Sequence, residues 1–232
     1  MHISSDSIII WQLEALSISA TIWFTWLIMF LLILSSWLVT RKLSSGTYLS
    51  RWQNLLEVLV IGIREQIQQA SGQNNDQLLP FIGTLFIFIA TSDILEIIPS
   101  FHPPTGSLST TAALAVCVFF AVPFYGIRRR GLLPFLKSYF EPNPFMLPFN
   151  VVGELSRTIS LAVRLFGNVM SSNMIGAILL SITPLFIPVL MQILGLFTGI
   201  VQAYIFAILA TIFISSASQV ASQNLTKTGK QQ

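Results

Sequence analysis

Five stretches of this chain are apolar over lengths that match the hydrocarbon core of a bilayer, and that limits the fold before any motif is read. They run over residues 18–39, 79–99, 108–127, 150–181 and 188–223. About 20 apolar residues cross a core of about 30 Å as a helix. In lipid the helix is one of only two ways to satisfy every backbone N–H and C=O. Only 9% of the residues are charged, 53% are hydrophobic, and the mean hydropathy is +0.76. Those values exclude an ordinary soluble domain and a disordered chain. The expected fold is an all-α integral membrane protein, one membrane domain over residues 1–232.

The segments between the apolar runs complete this outline. Residues 1–17 carry Asp6 and Glu14 but no lysine or arginine, and the basic pair Arg41-Lys42 follows the first run. A secretory signal has its basic region before its apolar core. Residues 18–39 therefore read as a retained span with the amino end outside. Over residues 51–70, apolar positions 52, 55, 56, 59, 60, 63 and 67 form a helical stripe, which predicts an amphipathic helix on the cytoplasmic surface. The spans 79–99 and 108–127 join through a tight outer turn at His102-Pro103-Pro104-Thr105-Gly106. Gly131, Pro134, Pro142, Pro144 and Pro148 keep residues 131–148 near the interface, partly helical around Leu133–Tyr139.

The last two runs are longer than a membrane needs. At 1.5 Å per residue, 150–181 and 188–223 extend about 48 and 54 Å. A hairpin at Thr183-Pro184-Leu185-Phe186-Ile187-Pro188 joins them. Helices so long must tilt steeply, bend or extend beyond the bilayer.

Charge placement fixes the expected topology. Arg41, Lys42, Arg51 and Arg64 fall in the first inner segment, Arg128, Arg129, Arg130 and Lys137 in the second, and Lys227 and Lys230 in the carboxyl tail. None falls in an outer loop, as the positive-inside rule requires. The net charge of +3 is thus topological, and it implies no nucleic acid partner. The two cations left over are Arg157 and Arg164.

An arginine at the centre of a bilayer costs about 2.5–3.5 kcal/mol or more, so its presence calls for a function. Gly153, Arg157, Ser160, Arg164, Asn168, Ser171 and Ile175 recur at helical spacing and form one face. Ser160, Asn168 and Ser171 equally suit hydrogen bonds to neighbouring helices. Arg157 has Glu154 three residues before it and lies nearer the inner interface, which suits ion pairing or snorkelling. Arg164 has no acidic residue three or four positions away. On the last helix, Gln192, Gly195, Gly199, Gln202, Ala203, Ala207 and Ala210 permit close helix contact, across which Gln202 could bond Arg164. Asp93 and Glu96 share one face near the outer end of the second span, as an interfacial pair or as the lining of a cation entrance. Arginine stays charged in proteins and favours the ionised form of a nearby carboxylate. A fixed cation of this kind implies an ion path in which it meets a carboxylate of another subunit.

No phosphate loop, nucleophile–base arrangement, metal-ligand cluster or cofactor motif stands out in the sequence. His2 and His102 are isolated, and the single Cys117 lies in an apolar run. Neither catalysis by the chain itself nor a bound metal or cofactor is expected.

The run Ser160-Leu161-Ala162-Val163-Arg164-Leu165-Phe166-Gly167-Asn168, followed by Gln202-Ala203-Tyr204-Ile205-Phe206, closely resembles the subunit a family of F-type ATP synthases. Pro103-Pro104-Thr105-Gly106-Ser107-Leu108-Ser109-Thr110-Thr111 and Gly153-Glu154-Leu155-Ser156-Arg157 support the resemblance. Ser50-Arg51-Trp52-Gln53-Asn54, the segment Pro144–Asn150 and the short amino terminus look most like the alternate, N-type bacterial ATPases. The resemblance implies a non-catalytic stator subunit in a bacterial plasma membrane, or a thylakoid, with its amino terminus outside and its carboxyl terminus cytoplasmic. It implies two offset half-channels that pass H⁺ or Na⁺ to and from a c-subunit ring. The other implied partners are b-type peripheral stalk subunits, membrane lipid and, indirectly, the F1 sector. Arg164 matches the family's essential arginine, and Asn168 and Gln202 its polar companions. Many members carry an acid and a histidine where this chain has Asn173 and Gly195, so its outer half-channel is expected to draw its polarity from Asp93 and Glu96. A self-contained transporter or channel is the rival expectation, although no inverted repeat is detectable in the sequence. A structural scaffold would leave Arg164 unexplained.

Overall fold

A computed structural model describes residues 9–13, 16–41, 51–72, 76–98, 101, 103–133, 146–182 and 187–228. Six long helices stand out among the described residues: α1 (Ala20–Thr40), α2 (Arg51–Ser71), α3 (Leu79–Leu95), α4 (Leu108–Arg130), α5 (Met146–Ile182) and α6 (Ile187–Thr228). All but α2 contain a stretch long and apolar enough to cross a membrane. The protein is accordingly an all-α membrane protein. It carries one small addition, a hairpin of strands Ile9–Leu13 and Leu16–Ser19 that pairs Trp11 with Ile18 and Gln12 with Ser17.

Several boundaries differ from those read in the sequence, each for a local reason. Helix α1 starts at Ala20, because Ile18 and Ser19 belong to the second strand. Helix α3 ends at Leu95 and gives way to tight turns over 96–98. Helix α4 runs to Arg130 and stops where Gly131 takes φ 85°, a conformation that favours glycine. Helix α5 begins at Met146, with Pro148 in its first turn, where a missing N–H breaks no helical bond. The expected hairpin at 183–186, the connection at 134–145 and both histidines lie outside the described residues.

Helix α5 has 37 residues and α6 has 42, about 55 and 63 Å at 1.5 Å per residue. Both exceed the bilayer core of about 30 Å. The core forms where α3, α4, α5 and α6 meet, around Ile82, Leu85, Ile89, Val118, Leu165 and Phe206. Peripheral α1 presents Trp23, Trp26, Phe30 and Ile33 outward, as lipid contact requires. Just beyond its end, the Arg41 guanidinium stacks on Trp37 at 4.9 Å, a pairing suited to a membrane interface.

Helix α2 does more than lie on a surface. Its residues Ile67 and Ser71 are buried, Leu56, Leu59 and Ile63 are half-buried, and Leu55 and Val60 of the expected stripe stay exposed. Tyr204 of α6 donates to Gln66 Oε1 at 2.7 Å, and Ser215 donates to the Ser71 carbonyl at 3.3 Å. Arg64 clasps Asp76 through two bonds, Nε to Oδ1 at 2.9 Å and a terminal nitrogen to Oδ2 at 2.8 Å. This fork fixes the end of α2 to the turn that begins α3.

Phe206 is fully buried at the centre of this packing. Phe206→Ala is expected to destabilise the subunit by about 3–5 kcal/mol, the range for emptying an aromatic core site. Thermal denaturation of the purified complex would measure the loss.

Candidate functional site

Helix α5 turns its two faces to different surroundings. Leu161, Ala162, Leu165 and Val169 are buried against the bundle. Arg157, Ser160, Arg164 and Ser171 are exposed, while Gly153 and Asn168 are half-buried. The polar face read from the sequence therefore looks away from the chain's own core. Beside it, Val152, Leu155, Ile159 and Val163 of the same helix expose large apolar side chains. Arg164 is thus a cation set in an outward apolar surface. Among the described residues, no carboxylate pairs with it.

The two arginines differ in their contacts. The Arg157 guanidinium lies over the Phe213 ring of α6, 5.6 Å from its centroid, a cation–π contact that spacing along one helix did not anticipate. Glu154 is half-buried one turn earlier. Gln202 is buried in α6, and among the described residues its side-chain nitrogen has no hydrogen-bond partner. The expected bond between Gln202 and Arg164 is not formed. One side chain faces inward and the other outward, a distinction that helical spacing cannot express.

A second polar group gathers at the end of the bundle where α3 and α5 finish and α6 begins. A cleft of about 240 Å³ is lined there by Asp93, Glu96, Ser172, Asn173, Gln192 and Gly195, among others. It joins four residues that the sequence reading named for one channel, Asp93, Glu96, Asn173 and Gly195. Asn173 hydrogen-bonds the Glu96 carboxylate. Asp93 is 2% exposed, and its Oδ1 accepts a 2.8 Å bond from the Thr105 hydroxyl. Thr105 belongs to a short 3-10 turn, Pro104–Gly106, whose residues are themselves buried. Helical spacing gives no sign of Thr105, because its meeting with Asp93 depends on where the Pro104–Gly106 turn packs against α3. Asn173 lies nine residues beyond Arg164, about 13 Å further along α5.

The small residues of α6 serve two neighbours. A β-carbon at Gly195 would lie 3.8 Å from the Ser172 hydroxyl oxygen of α5, an ordinary contact. At Gly199 it would lie 2.8 Å from the Asp93 β-carbon of α3 and 2.9 Å from Oδ2, too close for any side chain. Gln192 is exposed, whereas Ala203, Ala207 and Ala210 are buried as the packing stripe predicts. Among the described residues, no group of three or more His, Cys, Asp or Glu side chains could hold a metal.

The geometry defines a class: a helical membrane protein with a fixed cation on an outward apolar face and a carboxylate-lined cleft offset from it. The chain belongs to the ATP synthase A chain family, whose model matches residues 22–215. It is 61% identical over 224 residues to ATP synthase subunit a 2 of Acaryochloris marina, covering 97% of this chain and 96% of the relative. It is 56% identical over 224 residues to ATP synthase subunit a 1 of Chlorobaculum parvum, covering 97% and 99%. ATP synthase subunit a of Albidiferax ferrireducens is 56% identical over 219 residues, covering 94% of this chain and 95% of the relative.

Since a β-carbon at position 195 meets only ordinary contacts, Gly195→Ala is expected to assemble at close to the wild-type level. The yield of subunit in membranes, measured by immunoblot, checks this.

Proposed function

We propose that the chain is the ion-translocating stator subunit of a rotary F-type ATP synthase. It passes H⁺ or Na⁺ through two half-channels to and from the carboxylates of a c-subunit ring, and performs no chemistry on ATP itself. The observation that carries this reading is Arg164, a permanent cation on an outward apolar face with no acidic partner among the described residues. Lipid would not tolerate a bare guanidinium there. A ring carboxylate arriving at that face would be drawn into its ionised form and release its ion. The same charge would repel a cation moving directly from one half-channel to the other.

Asn168, Ser160 and Ser171 are the polar companions of Arg164 along the same α5 face, while Gln202 is a buried polar group on the neighbouring α6. Arg157 is a supporting residue held over Phe213. The cleft of Asp93, Glu96 and Asn173 serves as the outer half-channel. Its carboxylates occupy the role that an acid and a histidine at positions 173 and 195 would otherwise fill. The offset of about 13 Å between Asn173 and Arg164 suits an ion path that stops short of the arginine and is completed by rotation. The b-type peripheral stalk holds the subunit, and the F1 sector is coupled through it and the ring. The amino end lies outside and the basic ends of α1, α2 and α4 lie in the cytoplasm of a bacterial plasma membrane. Among such enzymes, the Ser50–Asn54 and Pro144–Asn150 segments favour the N-type.

Two measurements test the reading. Arg164→Ala is expected to abolish ATP-driven ion pumping by membrane vesicles while leaving the assembled complex near its normal amount; retained pumping would sink the assignment. The double variant Asp93→Ala, Glu96→Ala is expected to slow coupled transport by at least about 10-fold, by loss of the charged groups that attract the ion. Normal coupled rates would remove the cleft from the path.

A further inference from the structure

The Asp93 carboxylate is held in one orientation by two groups on separate elements. Thr105 reaches it from the turn before α4 and donates to Oδ1 at 2.8 Å. Gly199 approaches it from α6, so closely that a β-carbon would lie 2.8 Å from the Asp93 β-carbon, 2.9 Å from Oδ2 and 3.1 Å from Cγ. Thr105 is fully buried and Asp93 nearly so. The threonine bond opposes rotation of the carboxyl group away from its present orientation. Its Oδ2 is buried with no hydrogen-bond partner among the described residues, and Asp93 lines the cleft.

Small residues at positions 195, 199, 203 and 207 would by themselves mean only close packing. Position 199 is different from position 195. The nearest atom to a β-carbon at 195 is 3.8 Å away, whereas at 199 the three nearest atoms all belong to the carboxylate side chain of Asp93. A buried acceptor left without a donor is costly, by about 1–3 kcal/mol and more for a charge. A cost of that size calls for a role, and the place of Asp93 on the cleft wall offers one.

We propose that Thr105 and Gly199 are positioning residues for ion entry: the hydroxyl engages one oxygen of Asp93, and the missing side chain on α6 keeps the other in place beside the cleft. This rests on the reading of the cleft as the outer half-channel. The hydroxyl selects the orientation of the carboxylate, and Glu96, one turn later and bonded by Asn173, shares the cleft with it.

The test uses the complete complex in proteoliposomes, with ATP synthesis driven by an imposed gradient of H⁺ or of Na⁺. The half-saturating ion concentration on the cleft side is read separately from the maximal rate. Thr105→Val, which keeps the shape and removes the donor, is expected to raise the half-saturating concentration about 10-fold, the worth of one hydrogen bond to a charged group. Thr105→Ser is expected to restore it. In an Asp93→Asn background, Thr105→Val is expected to change nothing further. Gly199→Ala is expected to raise the same concentration in complexes matched for amount; where it prevents assembly, the threonine series decides. An unchanged half-saturation in Thr105→Val, with Asp93→Asn itself impaired, overturns the positioning role and leaves the half-channel standing. An equal loss in both backgrounds overturns it as well, because the effect is then structural. Wild-type transport by Asp93→Asn overturns both readings.

Discussion

A bilayer core solvates neither a peptide group nor a charge, and this constraint organises the whole chain. Backbone polarity is satisfied within helices, so the described spans are helical and the chain's freedom lies in how they pack. Side-chain polarity has no such internal solution. It must be paired, placed where water reaches, or presented to a partner. Arg64 and Asp76 are paired at the junction of α2 and α3. Asp93, Glu96 and Asn173 line a cleft. Among the described residues, Arg164 on α5 has neither an acidic partner nor a place in that cleft.

The two sites use opposite means of making a charge tolerable. Asp93 is drawn inward, where a hydroxyl from a folded-back turn and the close approach of a glycine on α6 define its orientation. Arg164 is left outside, on a helix whose opposite face is locked into the core by Leu161 and Leu165. The guanidinium is therefore carried on a rigid element while its own surroundings remain open. On the proposed reading, that combination suits a contact with a surface that moves past. A fixed charge must stay in register while its partner changes, and a pair closed within the chain would give the passing carboxylate nothing to meet.

Much of this was legible in the sequence because membrane helices obey simple periodic rules. The apolar runs, the distribution of Lys and Arg, and the polar face through Arg157, Ser160, Arg164 and Ser171 all follow from spacing along one helix. What spacing could not reveal was which neighbour each face meets. The stripe on α6 was legible as small, yet its division into Gly195 facing Ser172 and Gly199 facing Asp93 depends on how three helices converge. The stacking of Arg157 on Phe213 and the inward turn of Gln202 are tertiary in the same way. Thr105 illustrates the limit most clearly: it sits in a short Pro-Gly turn with nothing to distinguish it from a capping or turn residue. Only the return of that turn onto α3 makes it the donor to a buried carboxylate.

The absence of an ionisable group at positions 173 and 195 gains a physical meaning from this convergence. Asn173 and Gly195 line the same cleft as Asp93 and Glu96. The ionisable groups that α5 and α6 do not supply at those positions are present on α3, in the same cleft. On the proposed reading, a half-channel needs charge in the right volume, and the helix that carries it is secondary. Carboxylates on α3 have a consequence for packing, because the buried Asp93 must be accommodated by α6. A glycine at the point of contact meets that demand: any side chain there would meet the Asp93 carboxyl group before it met anything else. In this chain, the placement of charge and the closeness of the helix contact are thus one structural choice.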